Sequence, residues 1–323
     1  MQSSNHTQQH EEGGERSSHM TDCSCRGKFG PHGPRALIFG GKRGLLGQAL
    51  THYLGHQGWE TVAQGSEDVD IFDRKALQEY IQRVEPDCVL NALGYTQVDR
   101  AEDEPELAYK LNATFPGILA ECLQDNGAYL ISYSTDYVFD GLGLEPYSCE
   151  DAPRPKSVYG KSKLAGERTL LDSGMDQLIV IRTSWLFGPW RTNFVQKIIE
   201  QAKQSSNLKV VHDQVGSPTY TLDLACYTCK LFQHDVSGIF HICNSGQASW
   251  CELAAEALGI SGKSCTVQPL TSQEYRQQAS RPAFSVLDAS RFSQVTGEKP
   301  RPWMQALRDY MYFFETHEMD EDV

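Results

Sequence analysis

Ala36-Leu37-Ile38-Phe39-Gly40-Gly41-Lys42-Arg43-Gly44-Leu45-Leu46-Gly47 decides the fold. Four apolar residues read as a short buried strand, a glycine turn follows, and a helical pattern over 45–53 begins at once. Strand, glycine turn and helix is the context that a dinucleotide site requires. Gly41 permits the tight turn, Gly44 lets a pyrophosphate approach the N–H groups at the helix start, and Gly47 lets the helix pack on the strand. The spacing is G-x-x-G-x-x-G. Gly41, Arg43, Gly44, Leu45, Leu46 and Gly47 are the candidate cofactor contacts of this turn.

Outward from this unit, apolar strands alternate with amphipathic helices. Strands are expected at 61–63, 88–90, 129–132 and 178–181. Helices are expected at 74–84, 107–124 and around 159–163. That alternation predicts an α/β fold of the Rossmann type, a doubly wound parallel sheet covered on both faces. Residues 35–182 would form the NAD(P)-binding domain. From 183 to 323 the alternation loosens, which predicts a mainly substrate-binding smaller lobe that returns strands or helices to the sheet. Residues 1–34 are rich in Gln, His, Ser, Glu and Gly, a composition expected to remain disordered.

The chain has 323 residues, 40% of them hydrophobic, and a net charge of −13. That sign disfavours nucleic acid and anionic membrane as partners. No apolar run approaches a membrane-spanning length, and no secretory signal opens the chain. Ten cysteines without an export signal predict reduced thiols and a cytoplasmic setting. Cys226 and Cys229 have metal-like spacing but share an expected helix and lack a second pair. Cys23 and Cys25 lie in the polar tail.

The second strand ends Ala63-Gln64-Gly65-Ser66, with no carboxylate for a ribose 2′-OH. Arg43 is placed to meet a 2′-phosphate through its planar fork of donors. NADPH is therefore the expected cofactor, with NADH possible. Asp70 and Ile71 would flank the adenine. Ala92, Leu93 and Gly94 end a strand with small residues where a nicotinamide ribose needs room.

Tyr159-Gly160-Lys161-Ser162-Lys163 puts a phenol and an ammonium on one helix face. A cation about 4 Å away at an effective dielectric of about 20 is worth about 4 kcal/mol. That would lower the phenol pKa by about three units, making it a usable acid. Tyr133-Ser134-Thr135-Asp136-Tyr137 follows a strand's carboxyl end, where open α/β sheets place their sites. Thr135, Tyr159 and Lys163 together compose a carbonyl-reducing site: Thr135 holds the oxygen, Tyr159 protonates it, and Lys163 acidifies the phenol and holds the cofactor ribose. A nicotinamide supplies the hydride.

These segments, with Asn91–Asp99, Leu111-Asn112-Ala113-Thr114, Arg182-Thr183-Ser184-Trp185, Asp213–Thr219 and Ser280-Arg281-Pro282, resemble the extended short-chain dehydrogenase/reductases. Within them, the chain is similar to the dTDP-4-dehydrorhamnose reductase family over roughly 35–312. The resemblance implies NADPH-dependent reduction of the 4-keto group of a nucleotide-linked deoxysugar, in dTDP-rhamnose biosynthesis. It implies that Thr135 and Asp136 touch the sugar, that Trp185 lies against its ring, and that Arg281 meets the diphosphate. Tyr133, Gly94, Tyr95 and Thr96 would line the nicotinamide side. Related 4,6-dehydratases carry an acidic residue where Tyr137 stands, so reduction is preferred over dehydration. Some members bridge subunits through a carboxylate-held metal. The matching positions are Ala49 and Leu222, so no metal is expected and a homodimer stays open. The regulatory subunit of methionine adenosyltransferase resembles the same fold and holds NADP without turnover. It is the alternative reading, beside a reductase of another nucleotide keto-sugar.

Overall fold

The computed structural model describes residues 33–124 and 126–318. The expectation for the polar tail falls almost wholly outside them. The chain opens with β1 (Arg35–Phe39), α1 (Leu45–His56), β2 (Glu60–Gln64), α2 (Arg74–Val84) and β3 (Cys88–Asn91). Then come α3 (Val98–Asp103), α4 (Pro105–Tyr109), α5 (Phe115–Leu123), β4 (Tyr129–Thr135), α6 (Val158–Leu171) and β5 (Leu178–Thr183). Short strands and helices follow: β6 (Leu186–Phe187), α7 (Phe194–Ala202), β7 (Asn207–Val211), β8 (Val215–Gly216), β9 (Thr219–Tyr220) and α8 (Thr221–Phe232). The last stretch holds β10 (Gly238–His241), β11 (Ala248–Ser249), α9 (Trp250–Ile260), β12 (Thr266–Leu270), α10 (Ser272–Tyr275), α11 (Ser290–Thr296) and α12 (Trp303–Glu318).

A six-stranded sheet runs β2-β1-β3-β4-β5-β10, every pair parallel. Its central strands are apolar on both sides because helices cover both. One face buries Ile38, Leu90, Ile131 and Ile181 against α1, α8 and α11. The other buries Leu37, Val89, Leu130 and Val180 against α2 and α5. Strand order reverses between β1 and β3, so the crevice opens at the carboxyl ends of β1, β3 and β4. The segments after β5 cover that end, while β10 and α8 return to the sheet. A separate apolar cluster joins α7, α9 and α12 around Trp303, Leu307 and Tyr310.

The helix expected over 107–124 is divided. A π-helical turn, Lys110–Thr114, separates α4 from α5. Pro116 has no N–H to offer the Asn112 carbonyl, so the regular ladder fails there. Helix α6 takes the vacated position: a Cβ on Gly166 would stand 2.0 Å from Asn112 O. The Asn112 side chain turns inward, accepting from the Tyr95 amide at 2.8 Å and donating to Ser162 Oγ at 2.9 Å. Among the described residues no disulfide forms, and no cluster of three His, Cys, Asp or Glu is placed to hold a metal. No helix among them is long and apolar enough to cross a membrane.

Candidate active site

A cleft of about 1250 Å³ runs from the glycine turn across the carboxyl ends of the strands to the segments after β5. At one end stands the turn. Gly40, rather than Gly41, adopts the left-handed conformation (φ 79°). Gly41 is needed for a different reason: a Cβ there would lie 2.9 Å from Ala63 Cα on β2. Gly44 caps α1 without a side-chain bond, and its amide donates to Gly40 O at 2.9 Å. A Cβ on Gly47 would stand 2.1 Å from Gly40 O, so α1 lies directly on the turn. Arg43, Gly44, Leu45 and Leu46 line the cleft, whereas Gly41 and Gly47 shape it from behind.

Beyond β2 the expectation needs correction. The strand ends at Gln64 as read, but the following turn brings Glu67 and Asp68 to the cleft wall. Lys42 Nζ meets Glu67 at 3.1 Å and Asp68 at 2.7 Å, and Asp68 also accepts from the Gly65 amide. Carboxylates are therefore present at this end of the cleft, three and four residues past the strand end at Gln64. Arg43 is looser, 3.9 Å from Glu67 with its side chain 78% exposed. Asp70, Ile71, Ala92, Leu93, Gly94 and Thr96 all line the cleft. Tyr95 does not: its hydroxyl donates to Glu104 at 2.7 Å, and its ring packs near Ala101 and Ala108.

The catalytic candidates converge. Tyr133, Thr135, Asp136, Tyr159 and Lys163 line one wall, brought together because β4 extends to Thr135 and α6 crosses beneath its end. Ser157 caps α6 by accepting from the Gly160 amide at 3.1 Å, which sets the helix start one residue ahead of Tyr159. Lys163 Nζ donates to Tyr133 O at 2.5 Å. Burial pulls this ammonium down to about 8, with the Glu167 charge opposing. The Tyr159 phenol moves opposite to expectation. Burial pushes it up to about 12, partly offset by a hydrogen bond with Thr135. Helical spacing placed both side chains on one face, but the lysine ammonium is bound to a strand carbonyl. Burial also raises Asp136, to about 6.

Trp185 lines the other wall, with a left-handed backbone (φ 48°). A Cβ on Gly216 would stand 2.5 Å from its ring, so the segment 213–219 is shaped around the indole. Trp250 stacks on it, centroids 3.5 Å apart and planes within 4°. Arg281 is not among the lining residues. It makes a two-point pair with Asp99, at 2.9 and 2.7 Å, and hydrogen-bonds the phenol of Tyr137, which itself lines the cleft.

Sequence reading missed several lining groups: Glu67, Asp68, Ser134, Thr183, Arg191, Lys197 and Trp250. The hydroxyls of Ser134 and Thr183 are buried without a protein partner, on neighbouring strands at the cleft floor. Trp250 did carry a signal. Ser249-Trp250-Cys251-Glu252 is a capping box, which locates a helix start and sets the indole at its first position.

A parallel doubly wound sheet, a glycine turn at its first crossover and a Thr–Tyr–Lys wall define a carbonyl-reducing, dinucleotide-dependent oxidoreductase. Residues 35–315 match the family model described as the RmlD substrate binding domain. The chain is 39% identical over 277 residues to the spore coat polysaccharide biosynthesis protein SpsK of Bacillus subtilis, spanning 85% of this chain and 96% of that protein. It is 38% identical over 282 residues to dTDP-4-dehydrorhamnose reductase of Streptomyces griseus, spanning 85% and 92%. The crystal structure of dTDP-4-dehydrorhamnose reductase from Bacillus anthracis in complex with NADP superposes with a TM-score of 0.83 at 32% identity, covering 87% of this chain and 99% of that one. The chain belongs to the dTDP-4-dehydrorhamnose reductase family.

Proposed function

We propose that this protein uses NADPH to reduce the 4-keto group of a nucleotide-linked deoxysugar, with dTDP-4-dehydro-L-rhamnose as substrate and dTDP-L-rhamnose as product. The observation that carries this reading is the convergence of Thr135, Tyr159 and Lys163 on one wall of a cleft whose far end is a glycine turn opening a helix. The chain fits a dinucleotide. The α1 N-terminus presents backbone amides to a pyrophosphate, and the unpartnered Ser134 and Thr183 hydroxyls offer polar contacts on the cleft floor. Bound there, the nicotinamide would supply the hydride. A relative's complex with NADP supports the phosphorylated cofactor; the planar donors of Arg43, at the cleft, would suit its 2′-phosphate.

Lys163 spends one N–H on Tyr133 O and keeps two for a ribose. Tyr159, at about 12, stays protonated at neutral pH. It need not be acidified beforehand. Once a hydride reaches the carbonyl carbon, the oxygen becomes an alkoxide, which is far more basic than this phenolate, so the proton moves downhill. Thr135 would hold the oxygen during that transfer. The Trp185–Trp250 stack offers a flat apolar face to the sugar ring, and Arg191 and Lys197 supply cations for a diphosphate within a chain of negative charge. Arg281 would act on the substrate from behind Tyr137.

The test is NADPH oxidation, followed by absorbance, over a panel of nucleotide-linked 4-keto sugars with both nicotinamides. Turnover greatest with dTDP-4-dehydro-L-rhamnose supports the reading. Turnover with a different keto sugar moves the substrate but keeps the chemistry. Tight NADP binding with no turnover on any of them would favour a regulatory, non-catalytic role.

A further inference from the structure

Thr135 has one hydroxyl proton and more than one group that needs it. Its Oγ1 accepts from the Tyr137 amide at 3.2 Å and donates to Asp136 Oδ1 at 3.0 Å. The Tyr159 phenol is a further hydrogen-bonding neighbour. While Asp136 is ionised its oxygens only accept, so it keeps the Thr135 proton. With that proton committed, Thr135 Oγ1 no longer donates to the Tyr159 phenol, the bond that holds its pKa down, and the phenol proton turns to the remaining lone pair instead of to a carbonyl in the cleft. A protonated Asp136 reverses both bonds. Its Oδ1–H donates to Thr135 Oγ1, fills that lone pair and releases the Thr135 proton. The Tyr159 proton loses its acceptor at the same moment. Asp136 Oδ2 is held separately: Ser285 Oγ donates to it at 2.6 Å. Ser285 is 1% exposed, and its amide is anchored to Val215 O at 2.8 Å. Oδ1 is the oxygen that faces Thr135 Oγ1, so a proton placed there is the one that reverses the Thr135 bond.

We propose that Ser285 is a positioning residue for the reduction, holding Asp136 so that its protonation turns the Thr135 and Tyr159 hydroxyls together onto the substrate carbonyl. This rests on the reading of the cleft given above. Apart from Lys163, the other titratable groups around Asp136 do not change charge near neutrality. Burial keeps the Tyr137 and Tyr159 phenols protonated and pushes the Cys243 thiol up to about 12. Arg281, beyond Tyr137, stays charged in its pair with Asp99. Burial brings Asp136 to about 6 against the hydrogen bonds from Ser285 and Thr135, and Lys163 titrates separately at about 8.

The active form carries the proton, so turnover falls as pH rises through the Asp136 pKa. Ser285→Ala removes a donor that favours the ionised carboxylate. It should therefore move that limb upward by about one pH unit. The experiment is the pH profile of kcat for NADPH oxidation with the keto sugar, wild type against Ser285→Ala. An upward shift supports the inference. An unmoved limb, or wild-type turnover that rises with pH through this range, overturns it while leaving the reductase reading intact. A wild type without turnover at any pH takes down the function and the inference with it. If Ser285→Ala does not fold, Asp136→Asn replaces it: its remaining turnover should be independent of pH across the limb, and a persisting limb overturns the proposal.

Discussion

Glu167→Ala should destabilise this protein far more than any exposed ion-pair variant. Glu167 on α6 and Arg182 on β5 are each 2% exposed and meet through two parallel bonds, Nε–Oε1 at 3.0 Å and Nη2–Oε2 at 2.7 Å. Arg182 also lies over the Phe139 ring, with His241 Nε2 at 3.5 Å. His241 cannot replace the lost anion. Burial, aided by the Arg182 charge, holds it down to about 3, so it is neutral. Removing Glu167 leaves a buried guanidinium with no charge partner, a change that costs about 3–5 kcal/mol. The roughly 285 described residues, at about 2.1 cal/mol/K each, give an unfolding entropy of about 0.6 kcal/mol/K, so Tm should fall by about 5–8 °C. Thermal melts at pH 7, followed by circular dichroism, measure this. Arg308→Ala is the control, since its contact with Glu256 at 3.3 Å is exposed and worth about 0–1 kcal/mol. Equal Tm losses in the two variants would refute the reasoning. Replacing both Glu167 and Arg182 by apolar residues of similar size should recover part of the loss, because no charge is then stranded.

Arg43→Ala should weaken NADPH about tenfold more than NADH, read by fluorescence titration of both cofactors; equal losses would shift the phosphate contact to Lys42 or remove it. Gly47→Ala drives a methyl to within 2.1 Å of Gly40 O, so it should cost about 1–3 kcal/mol and abolish tight cofactor binding. Gly259→Ala, in α9 with nothing within 4 Å of the added carbon, should instead raise Tm slightly; a loss of cofactor binding there, or none in Gly47→Ala, would contradict the packing argument.

The sheet was legible because its inner strands are buried on both faces. Leu37, Ile38, Val89, Leu90, Leu130 and Ile131 leave no polar side for water, and each run is short and bounded by turns. β10 was harder to read, since Gly238 and Ile239 are only half-buried at the sheet edge and the segment follows the loosened alternation. Pro116 marks where the helical ladder must break, but the π-helical form of the break could not be read, because Gly166 arrives from a distant helix to occupy the space at Asn112. At the site, residue types were readable but directions were not. Helical periodicity put Tyr159 and Lys163 on one face, yet the reach of the lysine to Tyr133 O is a tertiary fact. Asp68 lies four residues beyond the end of β2 at Gln64, returned to the cleft by a turn that its own carboxylate caps. Tyr95 and Arg281 sit in segments that border the site, but Glu104 and Asp99 draw their side chains elsewhere.

The central claim is that the Tyr159 hydroxyl delivers the proton to a carbonyl reduced in this cleft. Tyr159→Phe keeps the ring against Tyr137 and removes only that hydroxyl. Measured with NADPH and the keto sugar, its kcat should fall by about two orders of magnitude or more, with the NADPH Kd changed less than about threefold. A variant that turns over near the wild-type rate would contradict the account.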